Sequence, residues 1–346
     1  MPLLVVFALA VAGTLVATPL ARRLAWRLGV TAQPAANRFH SRPTPLLGGL
    51  AIYAAVILVM AGAAGRTEIR ELAGILGGAS LVALLGAWDD RRPLSPYAKL
   101  AGEAVAAGVL IASGVQVTLL GQRLGGSLGT AADLGLTLLW VVALTNAANL
   151  LDNMDGALAG VTLVASSAIA LLAQSSGQLL VAPLAAALAG ACLGFLAYNR
   201  SPASIFMGDA GSLFLGFVLA ALGIKLRFPG QSPAASWMVP VLALAIPLFD
   251  TLLVVVSRLR RGLNPLKHGG KDHLAHRLVA GGASPREAVQ TLWLLGCAAA
   301  ALALYVGRLD RGDNGPAWLA LAAAGAAMLW GLWELEWRPA ARRRLK

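Results

Sequence analysis

The chain has 346 residues, 58% hydrophobic and only 13% charged, where a soluble domain carries about a quarter charged residues. That excludes a water-soluble globule, and it excludes disorder, which needs low hydrophobicity. The 28 Lys and Arg against 16 Asp and Glu leave a formal charge of +12, which on so apolar a chain points to an anionic membrane surface and not to nucleic acid.

A helix needs about 20 mostly apolar residues to cross a bilayer. In chain order the sequence offers eleven such runs, near 3–21, 47–64, 72–88, 99–116, 133–151, 156–173, 179–198, 212–228, 236–257, 286–307 and 316–334. The first lacks the basic start and cleavage site of a secretory signal, and Arg22, Arg23 and Arg27 follow it, so it is expected to be a retained span. After spans 1, 3, 5, 7, 9 and 11 lie 21 of the 28 basic residues, which places the amino terminus outside and the carboxyl terminus in the cytoplasm. Residues 1–346 thus read as a single polytopic, all-α integral membrane domain, with cytoplasmic loops near 22–46, 89–98, 152–156, 199–211 and 258–285. On the outer side VQVTLLG, 115–121, alternates like a short strand and predicts a small hairpin. Cys192 and Cys297 lie in apolar runs and read as small buried residues, without a disulfide framework.

The scarce carboxylates carry more information than the basic residues. Asp89, Asp90, Asp152, Asp155, Asp209 and Asp272 all fall at cytoplasmic span ends or in cytoplasmic loops. Carboxylates near a membrane are costly and tend to be functional, although an Asp at a helix start can be a simple cap. In WDDRRPLSPYAKLAGE, Pro93 and Pro96 keep the connection from being helical. The adjacent Asp89 and Asp90 repel unless Arg91, Arg92, Lys99 or a hard divalent cation neutralises them. One of them could also be kept as a proton acceptor.

In NAANLLDNMDGALAG, Asn146, Asn149, Asp152 and Asp155 recur every three residues. The helix is expected to end near Leu151, with a turn bringing Asp152 and Asp155 back towards the amides, a set suited to a metal, a sugar hydroxyl or a pyrimidine edge. Capping accounts for one or two of the four. In YNRSPASIFMGDAGSLFLGF, Pro202 interrupts the helix, Gly208 and Gly211 flank Asp209, and Ser212 opens the next span. A helix start beside Asp209 can present a metal ligand next to a phosphate nest. SRLRRGLNPLKHGGKDHLAHRL is the most basic stretch, with His273 and His276 three residues apart. Phosphate oxygen ligation suits Mg²⁺ there better than a two-histidine zinc site.

Together these clusters resemble the polyprenyl-phosphate N-acetylhexosamine-1-phosphate transferase family, glycosyltransferase family 4. The resemblance runs from about residue 30 to 280. PAANRFHSRPTPLLGGLAI looks like the family's first cytoplasmic loop, DDRRPLSPYAKL like its Asp-Asp motif, NAANLLDNMDGALAG and FMGDAGSLFLGF like its Asn/Asp and Gly-Asp motifs, and DHLAHRL like its histidine motif.

The resemblance implies transfer of N-acetylglucosamine 1-phosphate from UDP-GlcNAc to undecaprenyl phosphate, giving undecaprenyl-pyrophosphoryl-GlcNAc and UMP, at the cytoplasmic face of a bacterial inner membrane. It implies Asp89, Asp90, Lys99 and Asp209 as catalytic residues. Asp209 and Asp152 would be ligands of Mg²⁺, or of Mn²⁺ in its place. Asn149, Asp152, Asp155, His273, His276 and Arg277 would hold nucleotide, phosphates or sugar. Partners would be the two substrates and the bilayer, with no nucleic acid; a homodimer is left open. Ala32, Gln33, Asn37, Glu103, Asn153 and Ala275 depart from the family pattern, Glu103 standing where Gln is usual. Ala275, in place of one histidine of a triplet, favours the WecA/TagO-like branch over MraY-type transfer of phospho-MurNAc-pentapeptide, which is the alternative together with transfer of another N-acetylhexosamine. A secondary transporter is the distant alternative; such proteins place charged sites near the midplane, whereas here only Glu103 and Asp250 read as intramembrane.

Overall fold

A computed structural model describes residues 1–33, 43–63, 68–228, 233–267, 269–308, 315–332 and 334. Part of the expected first loop, including Asn37, and the basic carboxyl-terminal run lie outside these residues. The helices are α1 (Leu3–Leu28), α2 (Gly48–Ala63), α3 (Ile69–Arg91), α4 (Pro96–Ala112), α5 (Gly121–Leu124), α6 (Gly126–Leu151) and α7 (Ala157–Ser175). They continue with α8 (Val181–Asn199), α9 (Gly208–Lys225), α10 (Pro233–Ala243), α11 (Ala245–Arg260), α12 (Leu274–Ala280), α13 (Pro285–Gly307) and α14 (Gly315–Leu332). A two-stranded ribbon pairs β1 (Thr31–Ala32) with β2 (Thr44–Pro45), antiparallel.

Among the described residues seven helices, α1, α3, α6, α7, α8, α9 and α13, are long and apolar enough to cross a membrane, and the bent pair of α10 and α11 is long and apolar enough when taken together. The chain is therefore an all-α membrane protein. Its centre is α9, buried along 83% of its apolar window against 22% for α1. The outer surfaces of α1, α3 and α13 carry exposed Leu, Val, Trp and Tyr, as a lipid-facing belt requires.

Local chemistry sets the boundaries. Gly29, at φ 67°, ends α1 in the left-handed conformation. Ser95 caps α4 by accepting from Ala98 N–H, with Pro96 at the first helical position. Ser284 and Glu287 form a reciprocal capping box on α13.

Three sequence expectations are corrected. Cys192 is buried as expected, but Cys297 is exposed on α13. The run 236–257 is not one continuous span but is bent by 74° at Leu244. Pro247 lacks the N–H that would bond the Ala243 carbonyl, and Pro240 sits within α10. Residues 115–121 form no strand, because Val115 N–H bonds the Leu110 carbonyl of α4 and most of the following backbone donors are taken by α6. Val117 N–H bonds Thr137 Oγ1 at 2.9 Å. Asp133 accepts from Leu119, Leu120 and Gly121.

The helix ends sort onto two rims. On one, Gly48 and Gly49 N–H donate to Phe206 and Met207 carbonyls, and Phe206 N–H donates to Pro45, so the ribbon and α2 hold the loop before α9. Gly156 N–H bonds Asn199 Oδ1, and Arg286 bonds the Ser201 carbonyl. The opposite rim joins Lys225 to Glu68 and Glu71, Arg70 to the Ala112 carbonyl, and Gln178 to Arg227.

Candidate active site

Four helix ends meet at the first rim. The close seat of α3 against the start of α9 depends on Gly86, where a Cβ would lie 2.3 Å from Asp209 backbone atoms. Gly208, at φ 70°, plays the matching part, since a Cβ there would strike the Asp90 carboxylate at 2.4 Å. Asp90 Oδ1 and Oδ2 accept from Asp209 and Ala210 N–H at 2.8 and 3.2 Å. Asp90 thus caps α9 from a neighbouring helix, which is why α9 opens at Gly208 and not at Ser212, and it fixes the backbone from which Asp209 projects.

Asp89 faces the other way. Its Oδ1 accepts from Leu94 N–H at 2.6 Å, closing the proline-bounded turn between α3 and α4, and its Oδ2 accepts from Lys99 Nζ at 3.1 Å. Lys99, in the first turn of α4, also donates to Asp209 Oδ2. Asn149, on the last turn of α6, donates to Asp209 Oδ1 at 3.0 Å and to Ser212 Oγ at 2.8 Å. The side chains of Lys99, Asp89 and Asp209 keep 18%, 15% and 27% of their surface exposed, so the cluster opens to the rim.

Asp152 follows directly after α6. No described residue donates to its carboxylate, and burial together with the charges of Asp209, Asp90 and Asp155 pushes it up to about 8. Asp89 and Asp209 share one ammonium while Asp90 and Asp152 have no ion pair among the described residues, so the group is short of positive charge. Among the described residues no three His, Cys, Asp or Glu side chains form a ready metal cage. The donor set suits a hard divalent cation that takes one or two carboxylates and fills its remaining positions with water and phosphate oxygens. Asp209 and Asp152 fit Mg²⁺ or Mn²⁺ on that ground.

The remaining residues separate into a second group. Asp155 does not turn back towards the amides; it accepts from Ala203 N–H at 2.9 Å and ties the turn after α6 to the loop after α8. Asp272 does not join the carboxylates either. It accepts from Arg258 Nε at 3.1 Å and Arg261 Nη2 at 2.6 Å, while its backbone carbonyl accepts from Arg277 Nε at 2.8 Å. Burial opposes its ionisation, but Arg258 and Arg261 hold its carboxyl below the ordinary value. Part of the basic stretch is thus internal framework for its own loop.

His273 and His276 are both buried, their rings 5.5 Å apart. Asp250, which the sequence marks only as intramembrane, orients His273: its Oδ2 lies 2.8 Å from His273 Nδ1 and its Oδ1 accepts from Leu274 N–H at 2.6 Å. Burial and the His273 ring push His276 down to about 4, so it is neutral at pH 7. The sequence signal for Asp250 was a lone acid after Pro247 in an apolar run. Ser212 and Asn199, which hold Asn149 and the 199–205 loop, gave no comparable signal.

Fold and rim define a polytopic membrane protein that assembles carboxylates, one lysine and amides where water-borne and lipid-borne phosphates can meet. The family model for Glycosyl transferase family 4 matches residues 72–227, which include Asp89, Asp90, Lys99, Asn149, Asp152 and Asp209. The chain is 35% identical over 299 residues to the probable undecaprenyl-phosphate N-acetylglucosaminyl 1-phosphate transferase of Bacillus subtilis (strain 168), covering 85% of this chain and 82% of that one. It is 36% identical over 310 residues to the decaprenyl-phosphate N-acetylglucosaminephosphotransferase of Mycolicibacterium smegmatis (strain ATCC 700084 / mc(2)155), covering 81% and 76%. A phospho-N-acetylmuramoyl-pentapeptide-transferase of Desulforamulus reducens (strain ATCC BAA-1160 / DSM 100696 / MI-1) is 32% identical over 304 residues, covering 81% and 87%. The chain belongs to glycosyl transferase family 4, among the polyprenyl-phosphate N-acetylhexosamine-1-phosphate transferases.

Proposed function

We propose that the protein transfers N-acetylglucosamine 1-phosphate from UDP-GlcNAc to undecaprenyl phosphate, releasing UMP. The observation that carries this reading is the cluster in which Lys99 bridges Asp89 and Asp209 at the rim of an apolar bundle. Phosphoryl transfer needs positioning and charge neutralisation more than covalent chemistry, and that is what the cluster offers. The N-acetylglucosaminyl branch is preferred on the relatives quoted and on Ala275, which replaces one histidine of the family's triplet.

In this mechanism an oxygen of the lipid phosphate attacks the sugar-bearing phosphorus of the nucleotide, and the bond from that phosphorus to the UMP oxygen breaks. A phosphate's second pKa near 6 leaves the acceptor largely dianionic at pH 7, so no strong base is required. Asp89 and Lys99 orient the acceptor phosphate, Asp89 taking the residual proton. Asp90 acts through α9, holding Asp209 in place. Mg²⁺ bound by Asp209 and Asp152 would neutralise the pyrophosphate charge. Asn149 steadies Asp209, Asp155 braces the adjoining turn, and His273, His276 and Arg277 offer donors to phosphate or sugar.

The proposed topology has eleven spans, counting α2, α4, the bent α10–α11 pair and α14, with the amino terminus outside and the site rim in the cytoplasm of a bacterial inner membrane. The charge asymmetry of the loops supports it. A panel of UDP-N-acetylhexosamines with undecaprenyl phosphate and Mg²⁺, read by mass spectrometry of the lipid product, tests the assignment. A pyrophosphate-linked GlcNAc lipid is expected; a phospho-MurNAc-pentapeptide lipid in its place would move the chain to the other branch.

A further inference from the structure

Glu103 lies on α4 one turn beyond Lys99, so the two side chains share a helix face. It is fully buried, its Oε2 accepts from Asn146 Nδ2, and its Oε1 has no hydrogen-bond partner. A buried carboxylate oxygen left unmatched is costly. The cation acting on Glu103 is Lys99, and Asp209 lies within the same electrostatic reach.

Lys99 Nζ occupies Asp209 Oδ2 in the structure. A divalent cation on Asp209 would repel the ammonium that donates to the same carboxylate and weaken that bond. The ammonium is then better placed on another acceptor, and a lysine beside a bilayer has few. We propose that Glu103 Oε1 is the second seat of Lys99: when Asp209 takes a divalent cation, the ammonium moves one helical turn along α4 to Glu103 while remaining beside Asp89. Glu103 is thereby a positioning residue that lowers the cost of loading the site. Asn146 holds the receiving carboxylate in place from α6. This inference rests on the reading of Asp209 as a cation ligand.

The test is Mn²⁺ binding to the detergent-solubilised full chain, read by the electron paramagnetic resonance signal of free Mn²⁺, without substrates or turnover. Glu103→Leu removes both oxygens, and its Mn²⁺ affinity is expected to fall about tenfold, the loss of one charge-assisted hydrogen bond. Glu103→Gln keeps an acceptor and is expected to fall about threefold, which the same bookkeeping allows for a neutral partner. In a Lys99→Met background the same Glu103 substitutions should change affinity less than about twofold, because no ammonium needs a seat. Should Glu103→Leu fail to fold, Glu103→Gln in the two backgrounds carries the comparison. Wild-type affinity in the Glu103 variants, or an equal drop in both backgrounds, would overturn the proposal. Failure of the wild-type chain to bind Mn²⁺ would instead overturn the metal reading of Asp209, and this inference with it.

Discussion

The two rims of the bundle use the same residue types to different ends. On the rim away from the site, Asp133 is saturated by the backbone donors of Leu119, Leu120 and Gly121, and Lys225 is enclosed between Glu68 and Glu71. These contacts close a loop and pin helix ends. On the site rim, Asp152 accepts from no described residue, Asp209 shares its one lysine with Asp89, and the cluster is partly exposed. A carboxylate whose valences are filled by the chain is structural, whereas one left short of positive charge beside water is ready for a cation or a phosphate.

The largest effect that would sharpen this contrast is that of Asp209→Asn. Turnover should fall about a thousandfold, the scale of losing a main electrostatic element of a transition state, while thermal unfolding stays near that of the wild type. Near-normal turnover would return Asp209 to the structural class. Lys99→Met should lower turnover about a hundredfold. It also leaves Asp89 and Asp209 facing each other without a cation, so added Mg²⁺ should raise its melting temperature more than it raises that of the wild type. Equal Mg²⁺ shifts would show that the two carboxylates do not share a cation.

Asp133→Asn provides the opposite pattern: about 1–3 kcal/mol less stability, from weakened bonds to three backbone donors, with the specific activity of the folded protein unchanged. A loss of turnover without a loss of stability would break the division between the rims. The smallest effect concerns His276. Its folded value of about 4 lies below the ordinary value near 6.5, so the unfolded chain binds the proton more tightly. The stabilising contribution is complete above about pH 6.5 and is lost as pH falls towards 4. His276→Asn should flatten the fall in melting temperature between pH 7 and pH 5, and an unchanged slope would mean that the ring is not held neutral.

How far the chain could be read without coordinates depended on the range of the interaction. Apolar runs gave the membrane class and the approximate helices, because a bilayer imposes a length on each. The end of α6 at Leu151 was legible from Asn and Asp chemistry, whereas α3 runs on from Trp88 to Arg91, so Asp89 and Asp90, expected in a loop, lie in its last turn. The bend at Leu244 was not legible, although Pro240 and Pro247 were its local signals, since hydropathy averages over a break. Three-residue spacing placed Asn146 and Asn149 on neighbouring faces but could not say that one would meet Glu103 and the other Asp209, contacts made across other helices. The same limit explains Asp155 and Asp272. Both carry the right chemistry at the right rim, yet Asp155 ties down a loop and Asp272 collects arginines, because direction in space is set by tertiary packing.

The central claim is that the undersupplied carboxylates of one rim hold the charge of a phosphoryl transfer. It is tested most directly by incubating the purified protein with radiolabelled UDP-GlcNAc, undecaprenyl phosphate and Mg²⁺, and measuring chloroform-soluble label together with UMP. Equal amounts of labelled lipid and UMP are expected, abolished by chelation of the metal and by Asp209→Asn. Release of UDP with the labelled lipid, or transfer at an undiminished rate by Asp209→Asn, would contradict the claim.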